Sequence, residues 1–191
     1  MSTINDIKKA LTFYKNKKNL SILHCVSNYP CSYESLNLNC ISSLKEIFKI
    51  PVGFSDHTVG NNAAACIAYS LGARIFEKHF TLSKNSLGPD HSSSATPVEF
   101  KKYIEDLSLA KTILGSKDKS IQNEELNMKQ VSTKSITLVR NIYKGSKIRL
   151  DDICLKRPGD GLNGFFIKKI IGKRVAKSLK KNHQIIFKDL T

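Results

Sequence analysis

Two histidines stand at matching places in successive repeats of one pattern. Gly53-Phe54-Ser55-Asp56-His57-Thr58 follows the apolar run Ile50-Pro51-Val52, and Glu77-Lys78-His79-Phe80 follows Arg74-Ile75-Phe76, with an alanine-rich segment between them. Neutral imidazoles converging from neighbouring strand ends could hold a divalent cation with positions left open for substrate and water. The plainer reading is two histidines hydrogen-bonded near strand ends. Asp56 and Glu77 lie beside them, and either could orient an imidazole or act as a base. Ser55 and Ser27 fall on the same rim, where hydroxyls suit a phosphate, although neither belongs to a Walker-type glycine loop. Asp90 and His91 sit in a Gly-Pro loop that could fold over the rim and bind a polyol. Arg157 occupies the turn Lys156-Arg157-Pro158-Gly159. His24 reads as a buried, hydrogen-bonded histidine and His183 as a surface residue in a basic tail.

These residues need parallel strands to bring them together. Thr3-Ile4-Asn5-Asp6 opens a helix with a capping box, its apolar positions run to Tyr14, and Lys15 to Lys18 close it. Leu20–Val26 reads as a buried strand with the polar exit Ser27-Asn28-Tyr29-Pro30. Ile41, Leu44 and Phe48 mark a second helix, Pro51–Phe54 a strand, Ala63–Leu71 a helix, Gly72 its stop, and Ala73–Glu77 a third strand. A polar loop over 82–96 leads to Thr96-Pro97-Val98-Glu99, a strong helix start, and Gly115 ends that helix. Strands alternating with helices predict parallel βα repeats, whose ligands gather at the carboxyl ends of the strands. Residues 116–134 read as a linker with a short helix near 123–128. Beyond it, Ser135–Val139 and Ile185–Phe187 read as strands, with turns at Lys144-Gly145 and Pro158–Gly161 and a short helix near 165–171. That makes a small β module over 135–191, whose core is marginal at about sixty residues.

The chain has 191 residues, 40% of them hydrophobic, and a formal charge of +15. That apolar content supports a packed core and excludes wholesale disorder. The lysines are scattered, with no arginine-rich helix, zinc-finger spacing or basic–aromatic ridge, so a nucleic-acid binder rests on net charge alone. The five cysteines form no C-x-x-C pair, which reads as reduced thiols in a cytoplasmic protein. No long apolar run marks a membrane span and no secretory signal is present.

Seven motifs in register resemble the sialic acid synthase family, which includes N-acetylneuraminate, legionaminate and pseudaminate synthases. They are His24–Pro30 (HCVSNYP), Asn37–Asn39, Val52–Thr58 (VGFSDHT), Leu71–Ala73, Glu77–Leu82 (EKHFTL), Gly88–His91 (GPDH) and Lys156–Gly159 (KRPG). The resemblance implies the C-terminal part of a TIM (β/α)8 barrel over 1–115, the linker 116–134, and an antifreeze-like SAF (β-clip) domain over 135–191. It implies a transferase that condenses phosphoenolpyruvate with N-acetylmannosamine or a related N-acetylhexosamine, releasing phosphate and forming a nine-carbon 2-keto acid. His57 and His79 match ligands of a divalent metal, typically Mn²⁺, with Mg²⁺ or Co²⁺ as alternatives. Ser55 and Ser27 match positions near phosphoenolpyruvate, and Tyr29 and Asp90 match the sugar site. Glu77 is a candidate to position or deprotonate a reactant. Arg157 matches an arginine that reaches the partner's active site in a domain-swapped homodimer.

The departures are as informative. Family members open with several βα units before the position of Met1, and those units carry the lysines for phosphoenolpyruvate. Ser83 stands where relatives often have Asp, and the position of Ser27 varies. An open three-stranded parallel edge is costly. The expectation is therefore part of a synthase from a split or truncated frame, inactive alone and completed by a second chain. The alternative is a non-catalytic remnant that binds a sugar or a partner.

Overall fold

A computed structural model describes all 191 residues, in two compact units, Met1–Lys117 and Asp118–Thr191. The first unit alternates helices and strands in the order α1 (Ile4–Leu11), β1 (Ile22–Cys25), α2 (Cys40–Phe48), β2 (Val52–Asp56), α3 (Ala63–Ser70), β3 (Phe76–Lys78) and α4 (Pro97–Leu114). The strands form one parallel sheet in the order β1-β2-β3, the arrangement expected of successive right-handed βα units.

The helix ends follow local chemistry. Thr3 and Asp6 exchange side-chain and backbone bonds in the capping box of α1. Thr96 and Glu99 do the same for α4, where Pro97 fills the first turn. The Glu99 carboxyl is lowered to about 2, first by the hydrogen bond from Lys84 and then by the Thr96 backbone. Helix α1 stops at Leu11, short of the expected lysine-rich end. Phe13 and Tyr14 are exposed, so no packing rewards another turn, and Asn16 Oδ1 accepts the Lys18 N–H at 2.9 Å. That local side-chain bond competes with the helix.

Strand alternation sorts the side chains. Val52 and Phe54 pack with Ile41, Leu44, Ala64, Ala68 and Ala73 in the helix-side core, with Ile22 and Phe76 against it. Cys25, Ser55 and Glu77 are partners in register on the opposite face. With three strands present, no strand paired beyond β1 and only the isolated parallel bridge Phe80–Ala95 beyond the end of β3, that face is open, and Glu77 is exposed.

In the second unit the segment read as a linker folds as a 3₁₀ turn (Asn123–Glu125) and α5 (Leu126–Ser132). It bonds to the β module, with Gly159 N–H donating to Gln130 O at 2.8 Å and Arg157 Nε to Ser132 O at 3.0 Å. Strand β4 (Ser135–Leu138) pairs antiparallel with β5 (Ile153–Lys156), a strand that the turn-rich sequence around it concealed. A short helix α6 (Ile167–Ile170) follows.

The expected strand at Ile185–Phe187 does not form. Ile185 still bonds to Ile136, but Phe187–Asp189 turns as a 3₁₀ helix because the buried Asp189 carboxylate accepts the Ile186 N–H at 3.0 Å. His183 is likewise not a free surface residue; its Nε2–H donates to Asp189 Oδ2 at 2.7 Å, and Lys177 lies 3.2 Å from the other oxygen. Burial would raise the Asp189 pKa, yet the bonds from His183, the Ile186 N–H and Lys177 outweigh it and hold the carboxyl below its ordinary range. Its stabilisation is therefore complete above an ordinary carboxylate pKa of about 4 and is lost as pH falls through the lowered folded value. Asp189→Asn is expected to cost about 2 kcal/mol at neutral pH and to flatten the acid limb of stability, as read by urea unfolding across pH.

Candidate active site

The carboxyl ends of β1, β2 and β3 bring most of the singled-out residues of the first unit together. His57 leaves the end of β2 and turns back over the sheet, with its Nδ1 3.1 Å from the Val26 carbonyl. A carbonyl only accepts, so Nδ1 carries the proton and Nε2 keeps its lone pair. Nε2 lies 3.4 Å from Ser55 Oγ and 3.9 Å from Cys25 Sγ. His79 follows β3, and its ring centroid is 5.1 Å from that of His57, the planes nearly perpendicular at 86°. The Asp90 carboxylate stands 3.7 Å from His79 Nδ1.

Tyr29 closes over both imidazoles, its ring 4.2 Å from His79 and 5.1 Å from His57. Ser94 Oγ donates to the Asp90 carbonyl at 2.7 Å, which leaves it to accept from the Tyr29 hydroxyl at 3.3 Å. Burial, chiefly, pushes the Tyr29 phenol up, so it stays a donor. Ser55 is nearly buried and donates to Glu77 Oε1 at 2.6 Å. Ser27 is exposed on the loop after β1, with its Oγ 3.9 Å from Cys25 Sγ.

One expectation needs correction, and three other residues need placement. Asp56 neither orients an imidazole nor faces the site. It points to the helix side, where Oδ1 accepts from Thr58 N–H at 2.9 Å and Thr58 Oγ1 at 2.7 Å. Strand alternation requires this, because Ser55 already occupies the other face. His24 behaves as read, with Nε2 2.6 Å from the Leu36 carbonyl, and His91 is bound to Thr81 Oγ1 at 2.7 Å. Arg157 belongs to the second unit, where it is exposed.

Cys25, counted in the sequence reading among the reduced thiols and within the HCVSNYP motif but given no role there, lies in the same row as Ser55 and Glu77. The available signal was register: Cys25 is directly opposite Ser55, which is directly opposite Glu77.

No group of three or more His, Cys, Asp or Glu residues is arranged to hold a metal ion. The residues that could hold a cation are the two imidazoles, one with its tautomer set by a backbone carbonyl, which would leave most positions of a divalent ion to other ligands.

A parallel α/β layer with polar groups at its strand ends, followed by a small antiparallel module, defines a partial barrel fold with an appended β domain. The chain belongs to the NeuB family, whose model matches residues 1–119, and a SAF domain matches residues 133–191. It is 41% identical over 191 residues to an uncharacterised protein of Methanocaldococcus jannaschii, covering 99% of this chain and 56% of that one. It is 39% identical over 171 residues to the N,N'-diacetyllegionaminic acid synthase of Legionella pneumophila, covering 90% of this chain and 48% of the synthase. A crystal structure of a proposed spore coat polysaccharide biosynthesis protein E from Chromobacterium violaceum shares the fold, with a TM-score of 0.80 at 22% identity, over 99% of this chain and 58% of that one. The chain spans about half the length of the curated relatives it matches. No helix is long and apolar enough to cross a membrane.

Proposed function

We infer that this chain supplies one side of the active site of a phosphoenolpyruvate-dependent nonulosonic acid synthase. The observation that carries the reading is the convergence of His57 and His79, at a ring-centroid distance of 5.1 Å, above the row Cys25–Ser55–Glu77. The relation to a legionaminic acid synthase favours an N-acetylated hexose as acceptor, N-acetylmannosamine or a diacetylated analogue. A divalent cation, Mn²⁺ foremost and Mg²⁺ or Co²⁺ in its place, would be held by the two imidazoles. When bound it supplies Lewis-acid polarisation of the sugar aldehyde.

The protein groups divide the remaining work. Glu77, exposed on the inner face and already accepting one bond from Ser55, can take a proton from a reactant. The Tyr29 hydroxyl, whose hydrogen goes to Ser94, and the Asp90 carboxylate offer two acceptors beside the imidazoles for sugar hydroxyls. Ser27 offers a hydroxyl to phosphate, and Arg157 would add a cation when its domain approaches a partner's site in a swapped dimer. In the reaction, the methylene carbon of phosphoenolpyruvate bonds to the aldehyde carbon. Water adds at the carbon bearing phosphate, and inorganic phosphate leaves by C–O cleavage.

No strand pairs with the outer edge of β1, where a groove of about 840 Å³ is lined by Ile4, Ile7 and Leu11 of α1, Ile22 of β1, and Leu44 and Ile47 of α2. We assign that edge to a polypeptide carrying further βα units, because an uncovered parallel sheet exposes unpaired backbone and apolar surface. The same openness favours the competing reading, a remnant that binds a sugar or partner without turnover.

Phosphate release separates the two. With phosphoenolpyruvate, N-acetylmannosamine and Mn²⁺, the chain alone is expected to release none. It should release phosphate once supplied with the N-terminal segment of the Legionella synthase that it does not match. Turnover by the chain alone would refute the inferred incompleteness. Silence in both conditions, with the diacetylated sugar as well, would favour the remnant.

A further inference from the structure

Behind the site, on the helix side of the sheet, lies a buried charged cluster. Asp56 and Lys78 are partners in register on β2 and β3, with Lys78 Nζ 3.2 Å from Asp56 Oδ2 and both side chains nearly inaccessible, 10% and 1% exposed. Lys78 also donates to the Thr58 carbonyl at 2.8 Å, while Asp56 accepts both the N–H and the hydroxyl of Thr58. Tyr103, on α4, roofs the pair, with its ring centroid 5.3 Å from Lys78 Nζ and 2% of its surface exposed. Its hydroxyl has no partner in hydrogen-bond geometry. Burial, with the nearby Asp56 carboxylate, keeps that phenol protonated.

Such a cluster is a poor source of stability, because desolvating two charges cancels most of their attraction. Its position is what distinguishes it. Asp56 immediately precedes His57 and Lys78 immediately precedes His79. The Lys78–Thr58 bond spans the same turn from which His57 projects. The cluster therefore ties the two strand ends together one residue before each imidazole, from the helix side of the sheet.

We propose that Lys78 and Asp56, roofed by Tyr103, are positioning residues that set the separation and orientation of His57 and His79. The proposal deepens the cation reading of those histidines and rests on it for its binding readout. Without the pair, the Asp56–Thr58 turn loses both its charge partner and the carbonyl bond from Lys78. His57 then has no fixed approach to the Val26 carbonyl.

Lys78→Met and the double variant Asp56→Asn/Lys78→Met, in the full chain, test it by three readouts. Lys78→Met strands a buried carboxylate, so its unfolding midpoint should fall. The double variant removes both charges and should recover most of that midpoint. In both, the ¹⁵N spectrum of the imidazoles should lose the single Nδ1–H tautomer of His57, and Mn²⁺ affinity should fall about tenfold to a hundredfold. Lys78→Arg should restore part of the affinity. A double variant with recovered stability and wild-type imidazole spectra would overturn the proposal and leave the cluster merely structural. Should the single variant fail to fold, the double variant decides alone. Absence of Mn²⁺ binding by the unaltered chain would sink the cation reading, while the imidazole spectra would still decide whether the pair positions the rings.

Discussion

Replacing His57 with alanine is expected to weaken Mn²⁺ binding by about a hundredfold or more while leaving the unfolding midpoint near its original value. The binding effect is large because a two-imidazole site that loses one ligand retains no second strong donor. Even the loss of an outer partner commonly costs tenfold to a hundredfold. The stability effect is small because His57 is only half-buried, and its ring bonds the Val26 carbonyl while merely lying near Ser55 and Cys25. His79→Ala should behave in the same way, and the double variant should bind more weakly than either single one. Titration of free Mn²⁺ by electron paramagnetic resonance reads all three. Unchanged affinity in either single variant would remove that histidine from the site.

The largest expected effect on folding comes from Gly53→Ala. A Cβ at residue 53 would press on the Ile75 carbonyl oxygen and come within 2.9 Å of Ile75 Cβ. The carbonyl cannot simply give way, because it accepts the Phe54 N–H at 2.8 Å. The added methyl must therefore push β3 from β2 and break the ladder that carries Ser55 opposite Glu77 and Asp56 opposite Lys78. A loss of about 3 kcal/mol is expected from this overpacking of a fixed backbone. Thermal and urea unfolding would measure it, and a midpoint within a degree of the original would show that the strands separate at no cost. Gly53 thus has a role that is invisible in its own sequence context, where it reads only as part of a short strand.

Much of the first unit was legible because its signals are local. Capping boxes at Thr3 and Thr96, Pro97 in the first turn and apolar runs before each polar strand end led directly to α1, α4 and the parallel βα order. The histidine pair was legible for the same reason, since matching places in successive βα units become neighbours on one rim. What escaped depends on pairing across the sheet. Asp56 seemed a partner for His57 by adjacency, yet strand alternation sends it to the opposite face. Cys25 had no assigned role until register set it opposite Ser55. In the second unit, β5 and the 3₁₀ turn at Phe187–Asp189 were missed. The 3₁₀ turns at Leu150–Asp152, just before β5, and at Phe187–Asp189 are capped by the buried carboxylates Asp152 and Asp189, whose burial no local pattern announces.

The central claim is that His57 and His79 hold one divalent cation together. Electron spin echo modulation of Mn²⁺ bound to the full chain, labelled with ¹⁵N only in histidine, measures this directly. Two coupled imidazole nitrogens are expected in the unaltered chain, and one after His57→Ala or His79→Ala. An echo with no histidine coupling, at Mn²⁺ concentrations that saturate the protein, would contradict it.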